Sequence, residues 1–294
     1  MSRRARHFVL VCALGAPALL GCRDPAGNEA TGARDPQRQR VLDFWQRQNA
    51  ATDARSRRDF AEAARLYEEA LVLEPRHEDA LYYLGQCRRE LGQTDAARVA
   101  FERLVEVNPA SARGHLALGA LFASPDPSEP MDLAQAERQL RRAHELNGEE
   151  TGPVVRLGEI ALVTGRLEEA RHWFESALRT NPKSVEAAFL AGYVGWEAGR
   201  ETAPLVERVR QATKLEAPPK GVLSEGDRRD AHRAAAPPLS SPLGRLLFGA
   251  PVERLRAQAA SGKPIPEASV IQEWGMVRRL RREHERRAAA PFRR

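Results

Sequence analysis

The side chains that carry most enzyme chemistry are present in this chain, but they are not arranged for it. The seven histidines are scattered along the 294 residues: His7, His77, His115, His144, His172, His232 and His284. No two of them share a helix face at metal-ligand spacing, and no metalloprotease pair with an intervening glutamate occurs. No serine, cysteine or lysine lies in a nucleophile motif, and no phosphate-binding glycine loop follows a strand. The sequence therefore predicts a protein that is not an enzyme and has no metal or cofactor site.

One residue, Cys22, lies in a pattern with chemistry of its own. A basic start (Arg3, Arg4 and Arg6) precedes the apolar stretch 8–20, which is too short for an ordinary spanning helix. The string that follows, Leu19-Leu20-Gly21-Cys22, resembles the bacterial lipoprotein cleavage box, in which the cysteine thiol receives a diacylglycerol. The resemblance implies a signal peptide over residues 1–21 and lipidation of Cys22. An ordinary signal peptide with a chance cysteine is the alternative.

A lipid on Cys22 implies a protein of the bacterial cell envelope that faces the periplasm. In many such lipoproteins an aspartate directly after the cysteine marks the inner membrane. Here Arg23 follows, which favours the outer membrane. Residues 22–40 contain glycine and proline, and we expect them to form a flexible tether.

Cys87 is the third cysteine, after Cys12 in the apolar stretch and Cys22. Because Cys12 leaves with the signal peptide and Cys22 is acylated, no disulfide within one mature chain is expected. Cys87 is therefore either a reactive thiol or a small buried packing residue, and its place inside a helix favours packing.

The middle of the chain repeats one phrase every 34 residues. The matched positions are Leu84-Gly85 with Leu118-Gly119, Ala63 with Ala97, Pro75 with Pro109, and Ala136 with Ala170. Within a copy, Leu81 and Leu84 or Ala97 and Phe101 lie at helical spacing, so each half is an amphipathic helix. A fixed period of this length is typical of stacked helical hairpins.

This pattern resembles the tetratricopeptide repeat (TPR) family. The resemblance implies an all-α, right-handed helical solenoid of about four to five helix-turn-helix repeats over residues 41–216. The third copy is stretched by a proline-rich loop at 124–130, and the fifth has Pro204 where a small crossing residue belongs. We expect the fifth copy to be a distorted final repeat or a capping helix.

Charge divides the chain unevenly. The net charge is +6, yet residues 23–219 are acidic overall and residues 220–294 are strongly basic. Residues 217–242 form a proline-rich linker by composition, and residues 243–294 are predicted to be a basic, helical C-terminal segment. Its last helix is expected at 267–287, with Trp274 on an apolar face. Three alternatives remain for this helix: it folds back onto the solenoid, meets anionic lipids, or binds nucleic acid, which the signal peptide argues against.

The TPR resemblance also implies where a partner would bind, because the first helices of the repeats line a concave groove in that family. The inward places are held by Trp45, Gln48, Arg55, Tyr82, Gln86, Arg89, Arg113, Leu116, Glu159, Phe189, Tyr193 and Trp196. This mixed aromatic and arginine lining suits a protein or peptide partner. Some of these residues alternatively pack under the C-terminal segment, especially Tyr193 and Trp196.

The sequence thus predicts a lipid-anchored TPR scaffold with an assembly or adaptor role, and no nucleic-acid partner. The alternative is an auxiliary subunit of an envelope enzyme that acts on sugars or the cell wall.

Overall fold

The computed structural model describes residues 35–124, 131–216 and 242–289, and these residues form helices and connections without any strand. The predicted signal peptide with Cys22, the tether up to residue 34, the loop residues 125–130 and the linker residues 217–241 lie outside this described part.

Ten of the described helices pack as five consecutive hairpins. Their bounds are α1 (Pro36–Ser56) and α2 (Phe60–Leu73), α3 (Glu78–Glu90) and α4 (Thr94–Val107), α5 (Ala112–Phe122) and α6 (Leu133–Leu146), α7 (Thr151–Val163) and α8 (Leu167–Thr180), and α9 (Val185–Glu197) and α10 (Thr202–Glu216). Each second helix also contacts the first helix of the next hairpin, so the hairpins stack in chain order. The predicted all-α TPR solenoid is confirmed.

Local sequence explains where the hairpins turn. The turns before α4, α8 and α10 each contain a glycine with positive φ: Gly92 at 71°, Gly165 at 78° and Gly199 at 73°. The turn of the first hairpin has Arg58 at the equivalent place, with φ 64°. This left-handed conformation is energetically unfavourable for a residue that has a side chain. Serine caps the starts of α5 and α9. The Ser111 hydroxyl accepts a hydrogen bond from the backbone N–H of Gly114 at 3.3 Å.

Small residues allow the two helices of one hairpin to cross closely. A methyl group on Gly158 would lie 2.5 Å from Cε1 of Phe174, and one on Gly119 would lie 2.6 Å from Cγ of Leu140. Phe174 and Leu140 are fully buried and therefore cannot easily move away. The repeat signature is thus a packing rule in which glycine on one helix accommodates a large side chain on the next.

The first helix begins before the predicted boundary. We expected residues 22–40 to be a tether, but α1 starts at Pro36, so this prediction is wrong for residues 36–40. The Asp35 side chain accepts a hydrogen bond from the Gln37 N–H at 3.0 Å, and proline is favoured at the first helical position. The two residues together start the helix.

The fifth hairpin is complete despite Pro204. Helix α10 runs from Thr202 to Glu216, so the proline lies in its first turn, where a missing N–H costs little. Val206, Val209 and Ala212 of this helix are buried. The last repeat is therefore a full pair of helices.

The C-terminal segment folds back onto the last repeats. It consists of a short helix α11 (Pro242–Gly244), a π-helical turn (Arg245–Gly249), α12 (Ala250–Ala260) and α13 (Glu267–Ala289). Helix α11 contacts α7, α12 contacts α9 and α10, and α13 contacts α7 and α10. Buried residues of the segment join the same apolar core as α6 to α10. Of the three alternatives for this segment, the fold-back arrangement is the one observed.

Candidate partner-binding surface

The predicted binding residues lie on the first helices of the hairpins, α1, α3, α5, α7 and α9, whose shared surface we call the first-helix face. Helices α5 and α7 touch directly across this face. Two regions of the face differ in accessibility. Within the described residues its α1–α3–α5 half is left open, whereas its α7–α9 half is covered by the C-terminal segment.

The open half presents an exposed tryptophan and an exposed arginine. Trp45 on α1 is 49% exposed, an unusual value for the largest apolar side chain. Arg89 near the end of α3 is exposed, and it forms a surface ion pair with Glu90, with 3.2 Å between Nη2 and Oε1. Gln86 and Leu116 are half-buried beside them. All four lie on first helices of the hairpins, and their role in binding stays a prediction.

Tyr82 and Arg113 form the centre of the open half. The Arg113 guanidinium carbon lies 5.0 Å from the centre of the Tyr82 ring, within the range of a cation–π contact. The same guanidinium pairs with Asp79, with 2.5 Å between Nη2 and Oδ1. The ring and the charge therefore hold each other in place, and this half-buried pair bridges α3 and α5.

A second aromatic–arginine pair extends this surface toward α1. The Arg55 guanidinium carbon lies 4.3 Å above the centre of the Tyr83 ring. Tyr83 in turn stacks on Tyr67 of α2, with 6.0 Å between ring centroids. The sequence identified Arg55 but missed Tyr83, because Tyr83 is one residue beyond the place that the family pattern marks as inward.

Arg156 on α7 is the other residue that sequence reasoning missed. Burial lowers the pKa of its guanidinium, Glu159 opposes that change, and Arg89 adds to it. Arg89 and Arg156 are thus within electrostatic reach of each other although three helices separate them in the chain. Arg156 therefore lies within the electrostatic influence of Arg89 and also of the acidic residues Glu159, Glu186 and Glu150.

Two of the predicted lining residues, Gln48 and Glu159, are buried. Gln48 lies at the spacing of Phe44 and Ala51, and this stripe faces the core between α1 and α2. Glu159 on α7 is fully buried in the half of the face that the C-terminal segment covers. The prediction that Gln48 and Glu159 line an accessible surface is wrong for this conformation.

Helix α13 covers Phe189, Tyr193 and Trp196. The prediction that these three residues line an open groove is therefore also wrong. Phe189 and Tyr193 are fully buried, and Trp196 is partly buried. Trp274 of α13 donates a hydrogen bond from Nε1 to the Phe189 carbonyl oxygen at 3.1 Å. The packing alternative is therefore the one observed for these three residues. No local pattern could show this, because 85 residues separate Phe189 from Trp274.

The arginines of α13 are not all solvated. Arg278 contacts Glu197 through a charge-assisted hydrogen bond, and Nη2 of Arg281 lies 3.4 Å from Oε2 of the same carboxylate. Arg281 also donates from Nε to the Tyr193 hydroxyl at 3.1 Å. Burial raises the pKa of Tyr193, although Arg281 opposes the rise.

The remaining reactive side chains are used for packing. Cys87 is buried, and burial raises the pKa of its thiol to about 11, which removes the thiolate that a reactive cysteine needs. His115 is buried, with its ring nitrogens 2.7 Å from Gln139 Oε1 and 3.1 Å from the Pro109 carbonyl oxygen. Among the described residues, no group of three or more histidine, cysteine, aspartate or glutamate side chains is arranged to hold a metal ion.

Within residues 35–124, 131–216 and 242–289, none of the helices combines the length and the apolar composition that crossing a bilayer requires.

Comparison with known proteins agrees with this architecture. A family model described as tetratricopeptide repeat matches residues 54–121, and a second model with the same description matches residues 132–184 and 155–203. No curated protein matches the chain significantly.

Two solved structures share the fold. A crystal structure of MamA protein has a TM-score of 0.53 and 20% identity, with 63% of this chain and 99% of MamA covered. Residues 41 to the end of MamA from Desulfovibrio magneticus RS-1 give a TM-score of 0.50 and 17% identity, with 59% and 95% covered. At these identities the likeness concerns the fold alone. The chain therefore carries tetratricopeptide repeats, and its described helices form a solenoid of that fold.

Proposed function

We propose that this protein is a non-enzymatic scaffold that binds a partner protein or peptide on the open half of its first-helix face. The TPR fold is typical of protein–protein interaction scaffolds. The observation that carries the proposal is the contrast along this face. One half is occupied by the chain's own C-terminal segment, whereas the other presents Trp45 and Arg89 to solvent next to the Tyr82–Arg113 pair.

The chemistry of the open half favours a partner with both apolar and acidic groups. Tryptophan, tyrosine and arginine contribute most strongly to protein interfaces because each offers a large area together with a polar group. Arg113 is already paired with Asp79, whereas Arg89 is exposed to solvent. A carboxylate of the partner placed beside Arg89 would form an ion pair across the interface.

We further propose that the scaffold acts in the bacterial cell envelope, facing the periplasm and held to a membrane by lipid on Cys22, with the outer membrane favoured. The support is the order of basic start, apolar stretch, cleavage box and cysteine in residues 1–22, which precede the described structure. An acyl chain gains about 0.8 kcal/mol for each buried CH2 group, so several chains on Cys22 would hold the protein firmly.

The partner site is tested by crosslinking and pull-down from native membranes with the full chain and two variants, Tyr82→Ala and Arg89→Ala. Both variants should capture the partner at least about fivefold less well, as expected for interface residues worth more than about 1 kcal/mol. The matched control is Arg103→Ala, which removes an exposed arginine from α4 on the second-helix side. Equal capture by all three variants would show that the partner binds elsewhere.

A further inference from the structure

Helix α13 sits on α9 in the manner of a bound ligand helix. The contact residues of α9 are Phe189, Gly192, Tyr193, Trp196 and Glu197, which we call the α9 site. They combine a cavity for one aromatic side chain with a single carboxylate beside it. This combination defines the kind of helix that the site accepts.

The aromatic anchor is specified sterically and by a hydrogen bond. Trp274 is fully buried and stacks on Trp196, with ring centroids 6.1 Å apart. It fits because Gly192 has no side chain: a methyl group there would lie 2.6 Å from Cζ2 of the indole. The indole N–H reaches the Phe189 carbonyl oxygen at 3.1 Å, so phenylalanine would fill the cavity without this bond.

The charged part of the contact adds a second requirement. Arg278 and Arg281 follow Trp274 by four and seven residues and therefore lie on the same helix face. Both reach Glu197, whose side chain is only 9% exposed, and the Arg278 guanidinium carbon lies 3.9 Å over the Trp196 ring. A buried carboxylate left alone is costly, so the site strongly favours a helix that supplies arginines at these two places.

Helix α13 contacts the solenoid along one stripe of its surface. Its buried side chains Val270, Trp274, Val277 and Arg281 recur about once per turn, and the half-buried Ile271 and Leu280 flank them. The loop 261–266 joins it to α12 and contains glycine and two prolines. The contact therefore combines an apolar stripe with an ion pair of low exposure at Glu197, and the ion pair is the part that discriminates between helices of similar apolar pattern.

We propose that the α9 site is a docking site for cationic amphipathic helices with tryptophan followed by arginine four and seven residues later, and that α13 is its intramolecular, displaceable occupant. A partner helix with this pattern binds by displacing α13. This site is separate from Tyr82 and Arg89, so its test can fail while the proposed function stands, and the reverse also holds.

The test measures binding of a fluorescein-labelled peptide of residues 265–289 to the full chain by anisotropy. Wild-type chain should bind it weakly, because the tethered α13 competes at an effective concentration of about 1 mM. Trp274→Ala in the chain should strengthen binding by about 10- to 100-fold. A further Gly192→Ala change in that chain should abolish it. A peptide with Gly275→Ala is the matched control and should bind normally, because nothing lies within 4 Å of that position.

A second variant keeps the proposal testable if Trp274→Ala disrupts folding. The chain with Arg278→Glu and Arg281→Glu places carboxylates against Glu197, which should release α13 without leaving a cavity and should equally strengthen peptide binding. The proposal is overturned if the peptide binds both variants no better than wild type, or if both variants lose cooperative unfolding. A stable dimer of the wild-type chain that dissociates on Trp274→Ala would overturn it in favour of helix exchange between copies.

Discussion

Replacing Gly85 by alanine tests whether the repeat signature is a packing rule. Alanine is favoured over glycine inside a helix by about 1 kcal/mol, so an unobstructed position would gain stability. At Gly85 a methyl group would lie 2.7 Å from Cδ1 of Phe101 and closer still to Cε1. Carbon atoms pack at roughly 3.5–4.0 Å, so the fully buried Phe101 ring would have to move by about 1 Å.

Overpacking of this kind costs about 1–3 kcal/mol, which exceeds the gain in helix propensity. We therefore expect Gly85→Ala to lower the free energy of unfolding by about 1–2 kcal/mol and Tm by about 2–8 °C. Gly158→Ala should behave alike, because the equivalent methyl would meet Phe174 at 2.5 Å. Gly275→Ala is the control, since its methyl group meets nothing within 4 Å, and it should not lower Tm.

The assay is thermal and urea unfolding followed by far-ultraviolet circular dichroism. A double-mutant cycle with Phe101→Leu isolates the pair, because the shorter side chain makes room for the new methyl group. The cost of Gly85→Ala should fall by more than half in the Phe101→Leu background. If Gly85→Ala raises Tm as a helix-propensity effect would, or if the cycle shows no coupling, the close-crossing explanation is refuted.

Three further outcomes are expected. Arg58→Gly should raise the free energy of unfolding by about 1 kcal/mol in urea unfolding, because Arg58 has φ 64° where Gly92 has 71°; an unchanged or lower value would contradict it. The Arg166 hydrogen bond lowers the pKa of Glu137 below 4.5, so Glu137 stabilises the fold above that pH and loses this contribution as pH falls through the lowered pKa. Glu137→Gln should accordingly lower the free energy of unfolding by about 1 kcal/mol at pH 7. It should leave that free energy unchanged at a pH at which the wild-type carboxyl is protonated. Cys22→Ala should move the protein from the membrane fraction to the soluble fraction; unchanged fractionation would refute lipid anchoring.

The sequence was sufficient for the repeating part of the fold. Periodic positions such as Gly85 and Phe101 recur because each hairpin must solve the same crossing problem, so they can be recognised without coordinates. The same holds for turn glycines such as Gly92, which supply a positive φ. The start of α1 at Pro36 was missed because aspartate and proline also occur in flexible tethers.

The first-helix face was only partly predictable. Places such as Tyr82 and Arg89 follow from the position of a residue within its own repeat. The cover over Phe189 and Tyr193 depends instead on contacts with a helix some 85 residues later, and these contacts have no period. Arg156 was missed because its burial and its charged neighbours depend on how successive hairpins are stacked.

The central claim is that a partner binds the open half of the first-helix face, and site-specific photocrosslinking tests it most directly. A photoreactive amino acid replaces Gln86, which is half-buried on α3 in the open half, in one full-length chain and Val72, which is 77% exposed on α2, in another. Irradiation in intact envelopes should give a discrete crosslinked product from position 86 and none from position 72. The same product from both positions, or a product from position 72 alone, would contradict the account.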